Sequence, residues 1–169
     1  MENHDFLYTE YLTSKRTTLF FAMLSVSCFS LAIMRASWYA FEALTLTLAF
    51  FSAFFLFYTL NYRVLEIKLT AKALKITFGI FSWEVPFSQI AEAQVDSLPV
   101  IKQIGGAGIH FMFVRKRYRA SFNFLEYPRV VVALTKKVGL VQDISFSTRH
   151  PDEVIGLIQD GMGIAAGKP

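Results

Sequence analysis

The sequence predicts a membrane helical hairpin followed by a mainly-β domain of two antiparallel sheets, closed by one C-terminal helix. Three observations predict it. Two long stretches carry no charge, a series of short period-two segments follows them, and the chain then enters an amphipathic stretch with its own helix-start signals. The composition agrees. Among 169 residues, 54% are hydrophobic and 18 are Phe, while charged residues make up 18%, against about a quarter in ordinary soluble domains.

The first element is an acidic leader, "MENHDFLYTEYLTSKR", read as a cytoplasmic tail over residues 1–16. It is the wrong start for a secretory signal, which opens on positive charge. The uncharged run Thr17–Met34 comes next, and a second spans Ala43–Tyr62. At 1.5 Å of rise per residue, each is long enough to cross roughly 30 Å of hydrocarbon. The connector "RASWYAFE" is short, so residues 17–62 read as a tight antiparallel hairpin. Trp38 and Tyr39 fall at one interface and Tyr58 and Tyr62 near the other, the depths amphipathic rings prefer. Glu42 sits in the first turn of the second helix, where the dipole favours an anion, with Arg35 as its partner.

Lys15 and Arg16 precede the first span, and Arg63, Lys68, Lys72 and Lys75 follow the second. The connector carries only Arg35. The positive-inside rule then places both termini and the globular part in the cytoplasm, on a multi-pass protein of the inner (cytoplasmic) membrane. Cys28 is the one cysteine, so no intrachain disulfide forms and no oxidising compartment is implied.

From Arg63 the period becomes two. Leu65, Ile67 and Leu69 alternate with Glu66, Lys68 and Thr70, and Leu74, Ile76 and Phe78 repeat the pattern. Gly79-Ile80 turns the chain into "FSWEVP". Further strands are expected at "IAEAQVD", Ile109–Val114, Tyr118–Asn123, Val130–Thr135 and Leu140–Phe146. Seven or eight short antiparallel strands with regular turn signals imply a sandwich or open barrel. Pro151 then opens a helix with Asp152 and Glu153 in its first turn and Val154, Leu157 and Ile158 as its apolar stripe. Gly161 is expected to stop that helix, leaving 63–160 as the domain and 161–169 as a flexible tail.

"LTAKALKITFGIFSWEVPFSQIAEAQVD", "GGAGI" at Gly105–Ile109 and "HPDEVIGLI" resemble, in order and spacing, the bacterial pleckstrin-homology-like domains of small membrane proteins. The resemblance covers nearly all of Leu65–Ile158. It implies a strongly bent barrel of two sheets capped by a C-terminal helix, and a scaffold or binding module with no catalytic residues to carry over.

The residues themselves point away from catalysis. "IGGAGIH" lacks the Gly-Lys-Ser/Thr and following helix of a phosphate-cradling loop. His4, His110 and His150 are far apart and have no ligand-spaced acids or cysteines, so neither a metal nor another cofactor is expected. The formal net charge is +4, and the part from Arg63 onward carries 14 Lys+Arg against 9 Asp+Glu. That suits an anionic membrane surface or an acidic protein more than nucleic acid, which calls for a denser basic face.

Two clusters stand out. Arg115, Lys116 and Arg117 occupy an expected hairpin tip, and hairpin order brings Lys136 and Lys137 to the same end. Three readings of these five cations stay open: a solvated edge that deters aggregation, contact with anionic lipid, and contact with an acidic partner. At the opposite end Phe124, Leu125 and Tyr127 occupy a turn that has no need of apolar residues. They either anchor a partner or fold back over the core. The function expected is a membrane-anchored binding or scaffold module, an accessory or assembly subunit of a larger membrane complex with an integral membrane partner. The alternative is a module that binds anionic lipid headgroups. Both are compatible with a homo-oligomer.

Overall fold

The computed structural model describes residues 6–39, 42–98 and 108–165. In order these are β1 (Phe6–Thr13), α1 (Lys15–Tyr39), α2 (Ala43–Asn61), β2 (Val64–Thr70), β3 (Ala73–Phe78), β4 (Phe81–Pro86), a 3₁₀ turn (Phe87–Gln89), β5 (Ile90–Val95), β6 (Gly108–Val114), β7 (Arg117–Asn123), β8 (Arg129–Val138), β9 (Val141–Ser147) and α3 (Pro151–Ala165). The glycine loop expected at Gly105–Ile109 falls, except for Gly108 and Ile109, outside the described residues.

α1 and α2 are both long and apolar enough to cross a membrane. They meet along small residues. Thr17, Ser25 and Ala32 of α1 and Thr45, Ser52 and Thr59 of α2 are the buried ones, at seven- or eight-residue intervals that keep them on one face. At the centre the Ser25 hydroxyl donates to the Ser52 carbonyl at 2.9 Å, and the Ser52 hydroxyl returns a bond to the Ser25 carbonyl at 3.0 Å. Their large apolar side chains, among them Leu19, Met23, Phe29, Phe50 and Leu56, point outward. At the far end of the hairpin Arg35 and Glu42 pair at 2.9 Å, as their spacing implies.

The leader read as a tail instead contains β1. It pairs antiparallel with β2, from Thr13 opposite Val64 back to Phe6 opposite Thr70. Tyr8, Glu10 and Leu12 turn inward, and Leu12 is fully buried. Glu10 occupies a core-side position because three donors reach its carboxylate: the Tyr8 hydroxyl at 3.0 Å, the Thr148 hydroxyl at 2.6 Å and the Arg149 amide at 2.9 Å. Burial, reinforced by the neighbouring Glu10 charge, pushes the Tyr8 phenol well above its ordinary range. The helices are therefore an insertion between two adjacent strands. Ser14 alone links β1 to α1, and its hydroxyl caps the helix by accepting from the Thr17 amide at 2.9 Å. Only Tyr62 and Arg63 link α2 to β2.

The β elements form two mixed-length sheets, β1-β2-β3-β4 and β5-β8-β9-β7-β6. Neither closes on itself. Their apolar faces enclose one core that includes Leu65, Ile67, Leu74, Ile76, Phe122, Val132, Ile144 and Phe146. Antiparallel pairing throughout was expected, but β7 and β9 run parallel, with Arg119 opposite Asp143 and Phe122 opposite Phe146. The β8–β9 hairpin docks as a unit beside β7, so sequence neighbours are not sheet neighbours here. α3 packs on β5 and the 3₁₀ turn. Gly161 does not stop it. The helix runs on to Ala165, and Gly161 lies inside it because a Cβ there would sit 2.5 Å from the buried Phe87 ring.

A line of aromatic rings joins the helices to this core. Phe54, Tyr58, Tyr62, Phe78 and Phe124 follow one another at centroid separations of 4.8, 4.6, 5.3 and 5.1 Å.

Candidate functional site

The β-domain has an end near the helices and an end far from them. Gly79, in the left-handed region at φ +60°, brings the β3–β4 turn so near α2 that a Cβ would stand 2.7 Å from the Asn61 carbonyl oxygen. A Cβ on Gly108, at the start of β6, would stand 3.4 Å from the Tyr58 ring. Tyr127 donates its hydroxyl to the Thr13 carbonyl at 2.8 Å, and Glu126 lies 3.6 Å from Arg16. The β3–β4 turn, the start of β6 and the β7–β8 turn therefore all lie beside the helix ends.

β6 leaves that end and runs for seven residues, about 23 Å at strand rise. The β6–β7 turn is thus on the far side. Arg115 and Lys116 form it with φ of 49° and 68°, the paired left-handed geometry of a type I′ turn that matches strand twist. Because β7 and β9 are parallel, the β8–β9 turn at Gly139-Leu140 lies at the same end, and Lys136 and Lys137 approach it along β8. Arg115, Lys116, Lys136 and Lys137 are exposed and have no ion pair among the described residues.

Arg117 behaves differently. It is the first residue of β7, and its guanidinium turns back along the sheet. Nε donates to Asp143 Oδ1 at 2.8 Å and Nη2 to the Gln142 carbonyl at 3.1 Å. The Asp143 hydrogen bond raises the Arg117 pKa further above its already high value. Asp143 also lies 3.8 Å from Arg119, Arg119 donates to Asp96 at 3.3 Å, and Arg129 lies 4.0 Å from Asp96. These five charges form a chain over the face of the five-stranded sheet that points away from the core, and all but Arg117 are buried. Burial lowers the Arg129 pKa, with Asp96 opposing and Arg119 adding to the shift. On the same face His110 is pushed below its ordinary value, by burial first and then by the Arg129 charge, so its ring is neutral at pH 7. The charge chain borders a cleft of about 60 Å³ lined in part by Asp96, Arg115 and Arg119, a volume that holds water rather than a larger ligand.

Of the three residues in the apolar turn, Phe124 is buried against Phe78. Tyr127 is half-buried, with the Arg149 guanidinium 5.4 Å from its ring centroid. Leu125 is the member that presents its side chain to the surroundings.

One apolar surface was not singled out from the sequence. On the core-side face of edge strand β6, Phe113 is 76% exposed and Phe111 49% exposed, and both rings pack on Tyr118 at 4.9 and 6.2 Å. Across the gap between the sheets, edge strand β4 starts at Phe81, 47% exposed, next to Ile80, 68% exposed. Trp83 of β4 stands edge-on to Phe122, one strand in from β6. The readable signal was Phe111 and Phe113 alternating with His110 and Met112 on a strand that ends in cations. Among the described residues no group of His, Cys, Asp and Glu could hold a metal ion. No family model, curated protein or solved structure matches the chain.

Proposed function

We propose that this chain is a membrane-anchored pleckstrin-homology-like binding module. In this reading α1 and α2 cross the inner membrane, the β-domain faces the cytoplasm, and the domain docks an acidic surface of a membrane protein complex as an accessory or assembly subunit. The order of elements supports the family reading: two sheets around one core and a closing helix, with the helical pair inserted ahead of β2. The Lys and Arg excess flanking the two spans supports the cytoplasmic side.

The observation that carries the docking role is the position of the basic end. Arg115, Lys116, Lys136 and Lys137 sit about 23 Å along the strand direction from the helix ends, beyond a Debye length of roughly 8 Å at physiological salt. Lipid phosphates of the bilayer that holds the helices are poor partners at that reach. An acidic protein rising beside the domain is a good one.

Two measurements test this. For topology, an impermeant thiol reagent applied outside intact cells should label a cysteine at Ser37 and spare one at Lys137, with Cys28 replaced by Ser. Labelling at position 137 overturns the cytoplasmic assignment. For docking, changing Arg115, Lys116, Lys136 and Lys137 to Gln should leave the protein in the membrane fraction. It should weaken recovery of a stoichiometric partner in gentle detergent, more at low salt than at high salt. If recovery is unchanged at every salt concentration, the four cations are a solvated edge. Arg117 is left out because its guanidinium is already engaged by Asp143.

A further inference from the structure

The geometry points to a directional groove: the open seam between β4 and β6 takes the juxtamembrane segment of a partner, apolar where it leaves the bilayer and acidic about 20 Å further out. β4 and β6 are edge strands of different sheets and are not paired with each other; Trp83 of β4 stands 6.3 Å from Phe122 on β7, the neighbour of β6, and the starts of β4 and β6 both lie beside the end of α2. Its near end is Ile80 and Phe81, beside the turn whose Gly79 touches the end of α2. Its middle and far parts are Phe111 and Phe113 on the Tyr118 ring. It ends at Arg115 and Lys116, which have no ion pair among the described residues.

A protein that needed only solubility would not expose Ile80, Phe81, Phe111 and Phe113 on two sheet edges while burying Asp96, Asp143, Arg119 and Arg129. Exposed aromatic rings flanked by cations have the composition of interfaces, in which aromatic residues and Arg are enriched. Two features select the occupant. The apolar line begins at the helix ends, so an occupant emerging from the same bilayer meets it without a detour. Among the residues assigned to the seam, the only cations are Arg115 and Lys116 at its far end, so the complementary charge is negative and distal.

Such docking presupposes the membrane-anchored binding role proposed above and specifies its partner. The test uses the full chain in nanodiscs of zwitterionic lipid. The probe is a fluorescent peptide of roughly ten residues, matched to the reach of β6, with alternating Val and Thr followed by an Asp/Glu cluster. A control peptide carries Lys in place of the acids. Anisotropy should show the acidic peptide binding at least about tenfold more tightly than the control. The pair Phe111→Ser and Phe113→Ser should weaken it by a similar factor, and Arg115→Glu with Lys116→Glu should reverse the preference in favour of the Lys peptide. A photo-crosslinker replacing Phe81 should capture the Val/Thr end and one replacing Phe113 the acidic end.

Because Phe111 and Phe113 are exposed, both Ser variants should keep the parental melting temperature, which separates lost binding from lost folding. If the charge reversal matters and the Phe changes do not, the basic end docks its partner elsewhere and the seam is overturned while the docking role stands. If neither change matters, or if both peptides bind equally, both readings fall. Quenching of fluorophores at 111 and 113 by labelled lipid in anionic nanodiscs would assign the seam to the membrane surface and overturn a protein occupant.

Discussion

A chain in which Ser14–Asn61 is replaced by Asn-Gly should fold as a soluble β-domain, whereas a chain beginning at Arg63 should not fold. The difference is β1. It supplies Leu12, whose complete burial contributes about 2 kcal/mol. It also supplies the Glu10 carboxylate with its three donors, each bond to a charged acceptor worth about 1.5 kcal/mol or more. Together these rival the whole stability of a small domain, about 5–15 kcal/mol. Losing β1 also bares the edge of β2. The replacement is geometrically open because Thr13 and Val64 are already paired, and Asn-Gly-Tyr62-Arg63 makes a four-residue hairpin loop. Retaining Tyr62 keeps its ring against Phe78. Dispersed amide resonances and a cooperative melt are expected for the β1-containing chain, and neither for the chain from Arg63. A well-folded fragment from Arg63 would show β1 to be dispensable.

The second large effect is expected at Asp143, which sits between two guanidinium groups with its side chain 5% exposed. Asp143→Ala leaves Arg119 buried with half of its compensation and Arg117 with none of its acidic partner. Breaking a buried pair from one side costs about 3–5 kcal/mol. In a domain of this size that lowers Tm by at least about 12 °C. Arg117→Ala should cost far less, about 1 kcal/mol or below, because Arg117 is 43% exposed and Arg119 still answers Asp143. Thermal unfolding of both variants in the same detergent checks the order. Equal losses would mean that the pair behaves as a surface contact and that the chain of charges is not a unit.

The helical hairpin and the eight strands from β2 onward were legible because apolar length and period-two alternation are strong local signals. β1 was hidden by its own chemistry. In "FLYTEYLT" the inward positions are Tyr8, Glu10 and Leu12 while Leu7 and Tyr11 face out, so the hydrophobic alternation that marks a half-buried strand is scrambled. Only the distant donors Thr148 and Arg149 make an inward Glu10 acceptable, and nothing local announces them. The parallel β7–β9 pairing was missed for a related reason. Reading successive strands as neighbours is sound for each hairpin and silent about which hairpin edge docks on which.

That same pairing explains the mixed record at the basic end. Either arrangement of the hairpins leaves both turns at one end, so Arg115, Lys116, Lys136 and Lys137 do gather there. Arg117 belongs to the fold because Asp143, twenty-six positions away, stands on the neighbouring parallel strand. Phe124 turned out to be core for the same kind of reason: the turn that carries it folds under the sandwich and over Phe78. The distance of the basic end from the helices was not legible at all. It follows from the contacts of Gly79, Gly108 and Tyr127 with the helix ends.

The insertion of both helices between β1 and β2 also sets an order of events during synthesis. β1 leaves the ribosome before either apolar helix, and its partner β2 only after both. The first strand must therefore wait, single and with an open edge, while the helices find their place. In the membrane-anchored reading proposed above, it can close the sheet only when both ends of the hairpin come back to the same side, since Thr13 pairs with Val64. On that reading, completion of the β-domain is a checkpoint on integration of the helices. A copy whose hairpin ends stay apart is left with an unfinished sheet and with the Glu10 carboxylate and the Thr148 hydroxyl unmatched.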